Sequence, residues 1–329
     1  MPPFEQFFPQ SVLPLSLNFR MSAIIRVSHL TKQFKDTRAV DDLSFSVNEG
    51  DVYGFLGQNG AGKSTTIRML LSLIAPSAGE ITIFEKKLST HRSKILRQVG
   101  AVIEKPDLYK YLSAYDNLSI FAKMSNSKVT RELLMRQLEM VGLADRAKGK
   151  VDTFSQGMKQ RLGIAVALVH DPALIILDEP TNGLDPQGIA DIRNLILRLS
   201  REMGKTVLIS SHLLSEIELI ANRMIILHKG KKMVEGTVAE LLDPAHSLIQ
   251  LETTNDAAAK EKLSQSNWAT TLQPGNMIRL LMNKQAVPQL ITDLVGLDVQ
   301  VLSVHSSHSL ENYFLSLTTL SGHVEPFAN

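Results

Sequence analysis

A glycine-rich run carries the clearest chemical signal in this sequence of 329 residues. It spans residues 57–64, reads Gly-Gln-Asn-Gly-Ala-Gly-Lys-Ser, follows the apolar stretch 52–56 and precedes a stretch of helical period. Glycines allow backbone N–H groups to close around phosphates, and the start of a helix adds partial positive charge. Lys63 can then reach the β- and γ-phosphates while the Ser64 hydroxyl ligates Mg²⁺. The run therefore predicts a nucleoside triphosphate site with these contacts: Gly57, Asn59, Gly60, Ala61, Gly62, Lys63, Ser64 and Thr65.

Two adjacent carboxylates form a second candidate cluster. Asp178 and Glu179 directly follow the apolar stretch 173–177, so one strand end can present both beside the phosphates. Phosphoryl transfer needs a positioned nucleophile and neutralised charge more than covalent chemistry. We therefore expect Asp178 to hold Mg²⁺ through its water shell and Glu179 to polarise an attacking water. A glycine turn without ligand and a solvated acidic strand end are the alternatives, and both are disfavoured because the two features occur together.

A third motif lies between these two, at residues 154–158, which read Phe-Ser-Gln-Gly-Met. With it, the sequence resembles the nucleotide-binding subunits of ABC transporters, whose signature Leu-Ser-Gly-Gly-Gln it matches imperfectly. The resemblance covers residues 24–242 and implies a head-to-tail pair of subunits, each ATP lying between one subunit's phosphate loop and the other's signature. The residues that it assigns are Phe34 for stacking on adenine, Ser155 and Gly157 for the signature contact, Glu179 as the catalytic glutamate, Gly183, Leu184 and Asp185 as the D-loop, and Ser211 with His212 as the switch histidine.

Two positions depart from the pattern of that family. Glu104 ends the apolar stretch 99–103, where most such subunits carry glutamine. A carboxylate there can still face Mg²⁺ and water, and it adds negative charge beside a triphosphate. Gln156 replaces the first glycine of the signature, which leaves Gly157 free to bring its backbone close to a γ-phosphate. Glu104 together with 105–109 and 114–118 looks like the exporter branch that includes bacitracin-resistance and lantibiotic self-immunity subunits.

The elements that must position these residues alternate between short apolar stretches and longer stretches of helical period. This alternation predicts an α/β fold. The resemblance further implies a P-loop NTPase cassette of the ABC type, with a mixed or parallel sheet and a helical subdomain. A small C-terminal α+β domain is expected after the cassette. Two basic runs, 85–87 and 229–232, are interpreted as solvated turns. The expected cassette strands are 24–27, 43–47, 52–56, 81–84, 99–103, 174–177, 207–209 and 224–227, and 118–147 is expected to be helical.

The predicted domain organisation has three parts. Residues 1–20 contain four prolines and no basic region before their apolar stretch, so a disordered tail is favoured over a signal sequence, with Met21 as a second candidate start. The cassette spans 21–243, with its helical subdomain at about 105–170. Residues 244–329 are expected to form an accessory domain of ferredoxin-like order. Its predicted strands are 248–251, 268–272, 277–282 and 299–304, and its predicted helices are 256–263, 286–294 and 309–317.

Composition excludes several classes of protein. Lys and Arg number 35 against 33 Asp and Glu, which leaves a formal charge of +2. This is not the excess of basic residues that is typical of nucleic-acid binding, so no nucleic acid is expected as a partner. The absence of cysteine excludes disulfides and zinc-thiolate sites and suits an intracellular protein. A bilayer span needs about 18 apolar residues, and the apolar runs 163–169 and 173–177 are far shorter. His305 and His308 lack partners at ligand spacing, so a surface role is favoured over a metal site.

The resemblance implies an ATPase that uses ATP and Mg²⁺ to power a separate integral-membrane permease, exporting a peptide, antibiotic or lipid-like substrate. Such a subunit would be cytoplasmic and peripheral on the inner face of the cell membrane, with 105–117 as its docking surface. The main alternative is a soluble ABC-type ATPase of DNA repair or the ribosome, which usually carries two cassettes or a long coiled coil. A regulatory module that binds nucleotide without turnover is the other alternative, disfavoured by the joint presence of Lys63, Asp178, Glu179 and His212.

Overall fold

The computed structural model describes residues 22–125, 130–241, 247–275 and 277–307. The tail predicted at 1–20 and the last helix predicted at 309–317 lie outside these residues. The described strands are Ala23–Phe34 (β1), Thr37–Asn48 (β2), Val52–Gly57 (β3), Ala78–Ile83 (β4), Lys86–Lys87 (β5), Val99–Val102 (β6), Leu174–Asp178 (β7), Thr206–Ser211 (β8), Arg223–His228 (β9), Lys231–Thr237 (β10), Ser247–Thr253 (β11), Ile278–Met282 (β12) and Val301–Ser307 (β13).

A six-stranded sheet in the order β10-β9-β3-β8-β7-β6 forms the centre of the part that the structure describes. Strands β9, β3, β8, β7 and β6 run parallel, while β10 pairs antiparallel with β9. Every residue of β3, β7 and β8 is buried, as expected of parallel strands covered on both faces. Because parallel strands end at the same edge, the C-terminal residues of β3, β7 and β8 lie next to one another there.

The sheet arrangement adds detail to the predicted mixed sheet and corrects part of one other sequence interpretation. Strands β1, β2, β4 and β5 leave the parallel sheet and form a separate antiparallel sheet in the order β2-β1-β4-β5, because a two-residue turn after β1 folds β2 back against it. Each basic run, interpreted as a solvated turn, is a turn that continues into a strand: Glu85, Lys229 and Gly230 lie in turns, whereas the lysines that follow lie in strands. Lys86–Lys87 is β5, and Lys231–Thr237 is an edge strand in which exposed lysines hide the usual apolar alternation.

Several of the described α-helices begin at a side-chain cap that the sequence provides. Ser113, Thr130, Ser155 and Asp185 each accept a hydrogen bond from a backbone N–H in the first turn of the helix that follows. The helices are Lys63–Leu70 (α1), Leu88–Leu96 (α2), Ala114–Met124 (α3), Arg131–Met140 (α4), Gln156–Leu168 (α5), Pro186–Arg201 (α6), Leu214–Glu218 (α7), Val238–Leu241 (α8), Asp256–Ser264 (α9) and Val287–Gly296 (α10). Helices α3, α4 and α5 pack together as the helical region predicted from periodicity. None of the helices in the described ranges has the length and apolar character to span a bilayer.

The C-terminal elements form a three-stranded antiparallel sheet in the order β12-β11-β13, covered on one face by α9 and α10 around its own apolar cluster. The strand predicted at 268–272 is wrong: Ala269–Thr271 is a 3₁₀ turn, followed by a single bridge between Leu272 and Leu280. Trp268 packs against the apolar cluster and its Nε1 donates to Asp293, while Thr271 Oγ1 donates to the Trp268 carbonyl. These local hydrogen bonds stabilise a turn in residues that otherwise favour a strand. The elements keep a ferredoxin-like order, in which the second strand is reduced to the single bridge at Leu272.

Candidate nucleotide-binding site

The phosphate loop joins the buried strand β3 to helix α1, which begins at Lys63. Gly62 precedes the helix at φ 100°, in the left-handed region, and a Cβ atom there would lie 2.6 Å from the Ala39 carbonyl oxygen. Glycine is therefore required at this position by both conformation and space. The loop side chain of Asn59 and the backbone of Gly60 are exposed, whereas Gly57, Ala61 and Gly62 are buried and Ser64 and Thr65 are half-buried.

Lys63 is buried at the centre of this loop, with only 5% of its side chain exposed. Its ammonium donates to the carbonyls of Gly57 at 2.6 Å and Gln58 at 3.3 Å, and lies 3.2 Å from Glu179 Oε1. These partners satisfy the donors of a buried cation, as burial of a charge demands. The lysine predicted to reach the phosphates therefore lies between the loop and the acidic strand end.

Asp178 ends β7 as a fully buried carboxylate. Its Oδ1 accepts a hydrogen bond from Ser210 Oγ at 2.5 Å, whereas its Oδ2 is buried with no hydrogen-bond partner among the described residues. A buried carboxylate oxygen without a partner is costly unless something else satisfies it. Asp178 thus holds one oxygen for a group that the protein itself does not supply.

Glu179 follows directly, at φ 48°, a left-handed conformation that glutamate adopts rarely and that is commonly found at functional sites. Ser210 Oγ accepts from the Glu179 backbone N–H at 2.9 Å and so fixes this turn. The carboxylate lies between two cationic or potentially cationic groups, with Oε1 3.2 Å from Lys63 Nζ and Oε2 2.6 Å from His212 Nδ1. Lys63, Glu179 and His212 consequently form one continuous polar chain.

The donor set fits Mg²⁺. Ser64, Asp178, Glu179 and Glu104 line one cleft of about 740 Å³ at the sheet edge, and all four offer the hard oxygen atoms that Mg²⁺ takes. Across the described ranges, no group of three or more acidic or histidine side chains forms a complete metal cage. An incomplete set matches Mg²⁺, which binds to one or two protein oxygens and to substrate phosphates rather than to an all-protein cage.

Glu104, the departure from glutamine, stands in the left-handed region at φ 56°, just beyond β6. Its carboxylate forms an ion pair with the guanidinium of Arg68 on α1. The structure therefore brings Glu104 to the same cleft as Ser64 and Asp178, but with a cationic partner that the sequence motifs did not indicate.

The signature motif lies at the start of α5, where Phe154 is buried and Ser155 is exposed. Ser155 Oγ accepts from Met158 N at 3.3 Å and caps the helix. A Cβ atom on Gly157 would meet nothing closer than 4.0 Å, so packing within the chain does not require glycine there. Gln156, between Ser155 and Gly157, lines the cleft beside Ser64, whereas Ser155 and Gly157 do not.

Phe34 ends β1 with 46% of its side chain exposed, and Lys32 Nζ lies 4.9 Å from its ring centroid. An exposed aromatic ring at a strand end offers a stacking face for a base, and the ammonium covers part of that ring. Phe34 does not line the same cleft as Ser64 and Asp178.

The structure adds residues that sequence reasoning did not select. Ser210 forms hydrogen bonds with the Asp178 carboxylate and with the Glu179 backbone N–H. Its position two residues before His212 is the sequence feature that could have pointed to it. Gln160 and Asn182 line the cleft, and Gln160 Nε2 is buried without a partner among the described residues. Arg68 lies five residues after Lys63, and no motif pointed to it.

A phosphate loop on a parallel sheet, an acidic strand end and a helical subdomain carrying the signature define an ATP-binding cassette. The family model described as ABC transporter matches residues 40–182. The chain is 42% identical over 301 residues to "Uncharacterized ABC transporter ATP-binding protein YhcH" of Bacillus subtilis (91% of this chain, 97% of that protein). It is 41% identical to "Bacitracin transport ATP-binding protein BcrA" of Bacillus licheniformis (90% and 98%). The chain therefore belongs to the ABC transporter ATP-binding proteins and is an ABC-type ATPase.

A solved structure of similar fold is the dimeric post-hydrolysis state of the ATP-binding cassette MJ0796 bound to ADP and Pi. It is 27% identical, covers 65% of this chain and 98% of its own, and has a TM-score of 0.59. The α/β cassette with mixed strand directions that the sequence predicted is confirmed by this likeness and by the sheet described above.

Proposed function

We propose that this chain is the ATP-hydrolysing subunit of an exporter and drives a separate membrane permease for a peptide antibiotic or a related lipid-like compound. The observation that carries the proposal is the polar chain of Lys63, Glu179 and His212 beside the phosphate loop, in a protein 41% identical to a bacitracin transport ATP-binding protein. A relative in Streptococcus pyogenes that is 42% identical over 212 residues carries the name "Lantibiotic transport ATP-binding protein SrtF". Both names support a peptide-antibiotic substrate class.

In this proposal Ser64 and Asp178 hold Mg²⁺, with the free Asp178 Oδ2 as the acceptor that the ion and its waters satisfy. Mg²⁺, when bound, neutralises charge on the phosphate oxygens. Lys63 exchanges its loop carbonyls for the β- and γ-phosphates. Phe34 stacks on adenine, while the loop contacts of residues 57–65 enclose the phosphates.

Glu179 is the proposed base that orients and polarises the attacking water. His212, at 2.6 Å from Glu179 Oε2, holds that carboxylate in position. Release of Lys63 from Glu179 leaves Oε1 free to accept a hydrogen bond from the water, so binding of the phosphates and readiness of the base are coupled. The contribution of such a positioned base is of the order of 10²- to 10⁴-fold in rate.

The proposed active unit contains two copies of the chain. Ser155 and Gly157 of one copy complete the site of the other, as the family's head-to-tail arrangement implies. Packing within the chain does not require glycine at 157, and Ser155 is exposed. Both observations support a contact with a second copy of the chain.

The proposed permease docks on residues 105–117 and the helices that follow. Tyr109 and Tyr111 in this segment are 50% and 85% exposed, which suits burial against a partner. The chain would then lie on the cytoplasmic face of the cell membrane, with residues 21–243 as the cassette and 244–329 as an accessory domain. The alternatives, a soluble ATPase of DNA repair or the ribosome and a non-hydrolysing regulatory module, lack comparable support.

The test is co-expression of this chain with a candidate membrane permease, in a host sensitive to bacitracin and to a lantibiotic. We expect the minimal inhibitory concentration to rise with the wild-type chain and to stay at the host value with Glu179→Gln. Equal protection by the two chains would contradict ATP-driven export, and no protection against either compound class, with normal ATPase activity, would contradict the substrate class.

A further inference from the structure

The ion pair between Arg68 and Glu104 joins the phosphate helix to the loop after β6, two elements 36 residues apart. Arg68 lies four residues after Ser64 on α1, so the two side chains share one face of the helix. Glu104 lines the cleft that Ser64 also lines. The pair therefore lies at the wall of the nucleotide site rather than on a remote surface.

Stability does not explain this pair. The Arg68 side chain is 42% exposed and that of Glu104 is 62% exposed, and ion pairs at such exposure contribute little to folding. Glu104 also adopts a left-handed backbone, which for a residue other than glycine is unfavourable. Glu104 thus adopts an unfavourable backbone conformation and gains only a weak surface ion pair. Such strain is typical of residues that are held in place for function.

The charges of the cleft indicate what that requirement is. Three carboxylates line it, and two of them have partners inside the site: Asp178 with Ser210, and Glu179 with Lys63 and His212. Lys105 also lines the cleft, but among the described residues the ion-pair partner of Glu104 is Arg68. Without Arg68, the Glu104 carboxylate would add a negative charge where a triphosphate brings several more. Like charges at short range repel, and a neighbouring guanidinium offsets this repulsion without removing the carboxylate oxygens.

We propose that Arg68 is a positioning residue for the nucleotide site: it neutralises Glu104 and holds the carboxylate at the cleft wall, so that a glutamate can stand beside the phosphates. The inference rests on the proposed function, because it takes the cleft to hold ATP. Without Arg68, metal-free ATP meets the full repulsion of Glu104, whereas ATP with Mg²⁺ meets less because the ion has already reduced the charge.

The test measures equilibrium binding of a fluorescent methylanthraniloyl ATP to the full chain, in EDTA and in saturating Mg²⁺. The variants are Arg68→Gln, Glu104→Gln and the double variant, with Arg68→Lys as the charge-conserving change. Arg198→Gln is the matched control, because Arg198 forms an ion pair of similar exposure with Glu202 on α6, away from the cleft. Thermal unfolding of each variant shows whether folding is affected.

In EDTA we expect Arg68→Gln to raise the dissociation constant about three- to fivefold, the range that an exposed charge pair supports. The increase should be about twofold or less in Mg²⁺ and in the Glu104→Gln background, because the repulsion is then reduced or absent. Arg68→Lys should restore most of the loss, and Arg198→Gln should bind like the wild type.

An equal increase in the wild-type and Glu104→Gln backgrounds would overturn the inference, since Arg68 would then act on the nucleotide alone. A loss of binding explained by a lower melting temperature would overturn it as well, since the role would be structural. Failure of the wild-type chain to bind the probe would contradict the proposed function itself, which keeps the two failures distinct.

Discussion

The phosphate loop and the signature motif are the two halves of the proposed nucleotide site, and they differ in what holds their residues in place. At the loop, glycine at 62 is required by a left-handed backbone and by the Ala39 carbonyl, and Lys63 is bonded to two loop carbonyls and to Glu179. At the signature, Ser155 is exposed and a Cβ on Gly157 would meet nothing closer than 4.0 Å. The phosphate loop is therefore specified by the fold of the chain. At the signature, the fold favours serine at 155 as a helix cap but gives no reason for glycine at 157, which we attribute to the proposed contact with a second copy.

The largest effect is expected on the phosphate-loop side of the site, where Glu179 contacts Lys63. Glu179→Gln should lower the ATP turnover number by about a hundredfold or more, because the water loses its base, while the affinity for ATP changes little. Steady-state ATPase assays and binding of fluorescent ATP check the two parts. Hydrolysis at the wild-type rate would show that Glu179 has another role.

Gly62→Ala should also be severe, through folding rather than chemistry. The added methyl group would lie 2.6 Å from the Ala39 carbonyl oxygen in a left-handed conformation, which we expect to cost about 1–3 kcal/mol of unfolding free energy. Chemical denaturation with and without ATP measures the loss. A variant as stable as the wild type would mean that the loop accommodates the methyl group and is less constrained than the distances indicate.

Ser155→Arg should cost the single chain about 1 kcal/mol of unfolding free energy through the lost helix cap, leave it folded, and prevent its association. In the Glu179→Gln background, where ATP persists, we expect ATP and Mg²⁺ to produce a dimer, and the added arginine to weaken that dimer about tenfold or more by steric exclusion at the shared phosphate. Light scattering after size exclusion, run with ATP and with ADP, makes the measurement. An oligomeric state that ignores ATP, in the free subunit and in the permease complex, would contradict the two-copy site.

The smallest effect on the unfolding free energy is expected at the signature, and it distinguishes the signature from the phosphate loop most clearly. Gly157→Ala should keep or raise the unfolding free energy, by up to about 1 kcal/mol, because alanine is the better helix former and space is available. The same change should weaken the ATP-dependent dimer, since the backbone approaches the partner's nucleotide less closely. Lower stability than the wild type would show that the chain itself needs this glycine.

The parts of the site that sequence could predict are those in which neighbouring residues act together. The loop 57–64 and the pair Asp178 and Glu179 are continuous runs at strand ends, and the sheet brings those ends together. The ion pair of Arg68 with Glu104 spans 36 residues and depends on a left-handed turn that nothing in the local sequence requires. The structure brings the side chains of Lys63, Asp178, Glu179 and His212 together, and the roles assigned to these and to the other site residues stay predictions.

The fold shows the same limit of sequence reasoning. The buried parallel strands were predicted because their residues are continuously apolar. Strand β10 was missed because its lysines face solvent at a sheet edge, and residues 268–272 were mistaken for a strand because their β propensity is overcome by the bonds of Trp268 and Thr271.

The contacts of Lys63 also have a kinetic consequence. Because its ammonium donates to the carbonyls of Gly57 and Gln58, Lys63 ties the end of the loop to its start and holds the loop in shape. An incoming nucleotide then exchanges one set of acceptors for another and orders little backbone, so the entropy lost on association is small. The rate of nucleotide capture should consequently follow diffusion and charge rather than loop closure, which lets the subunit reload quickly after each round of hydrolysis.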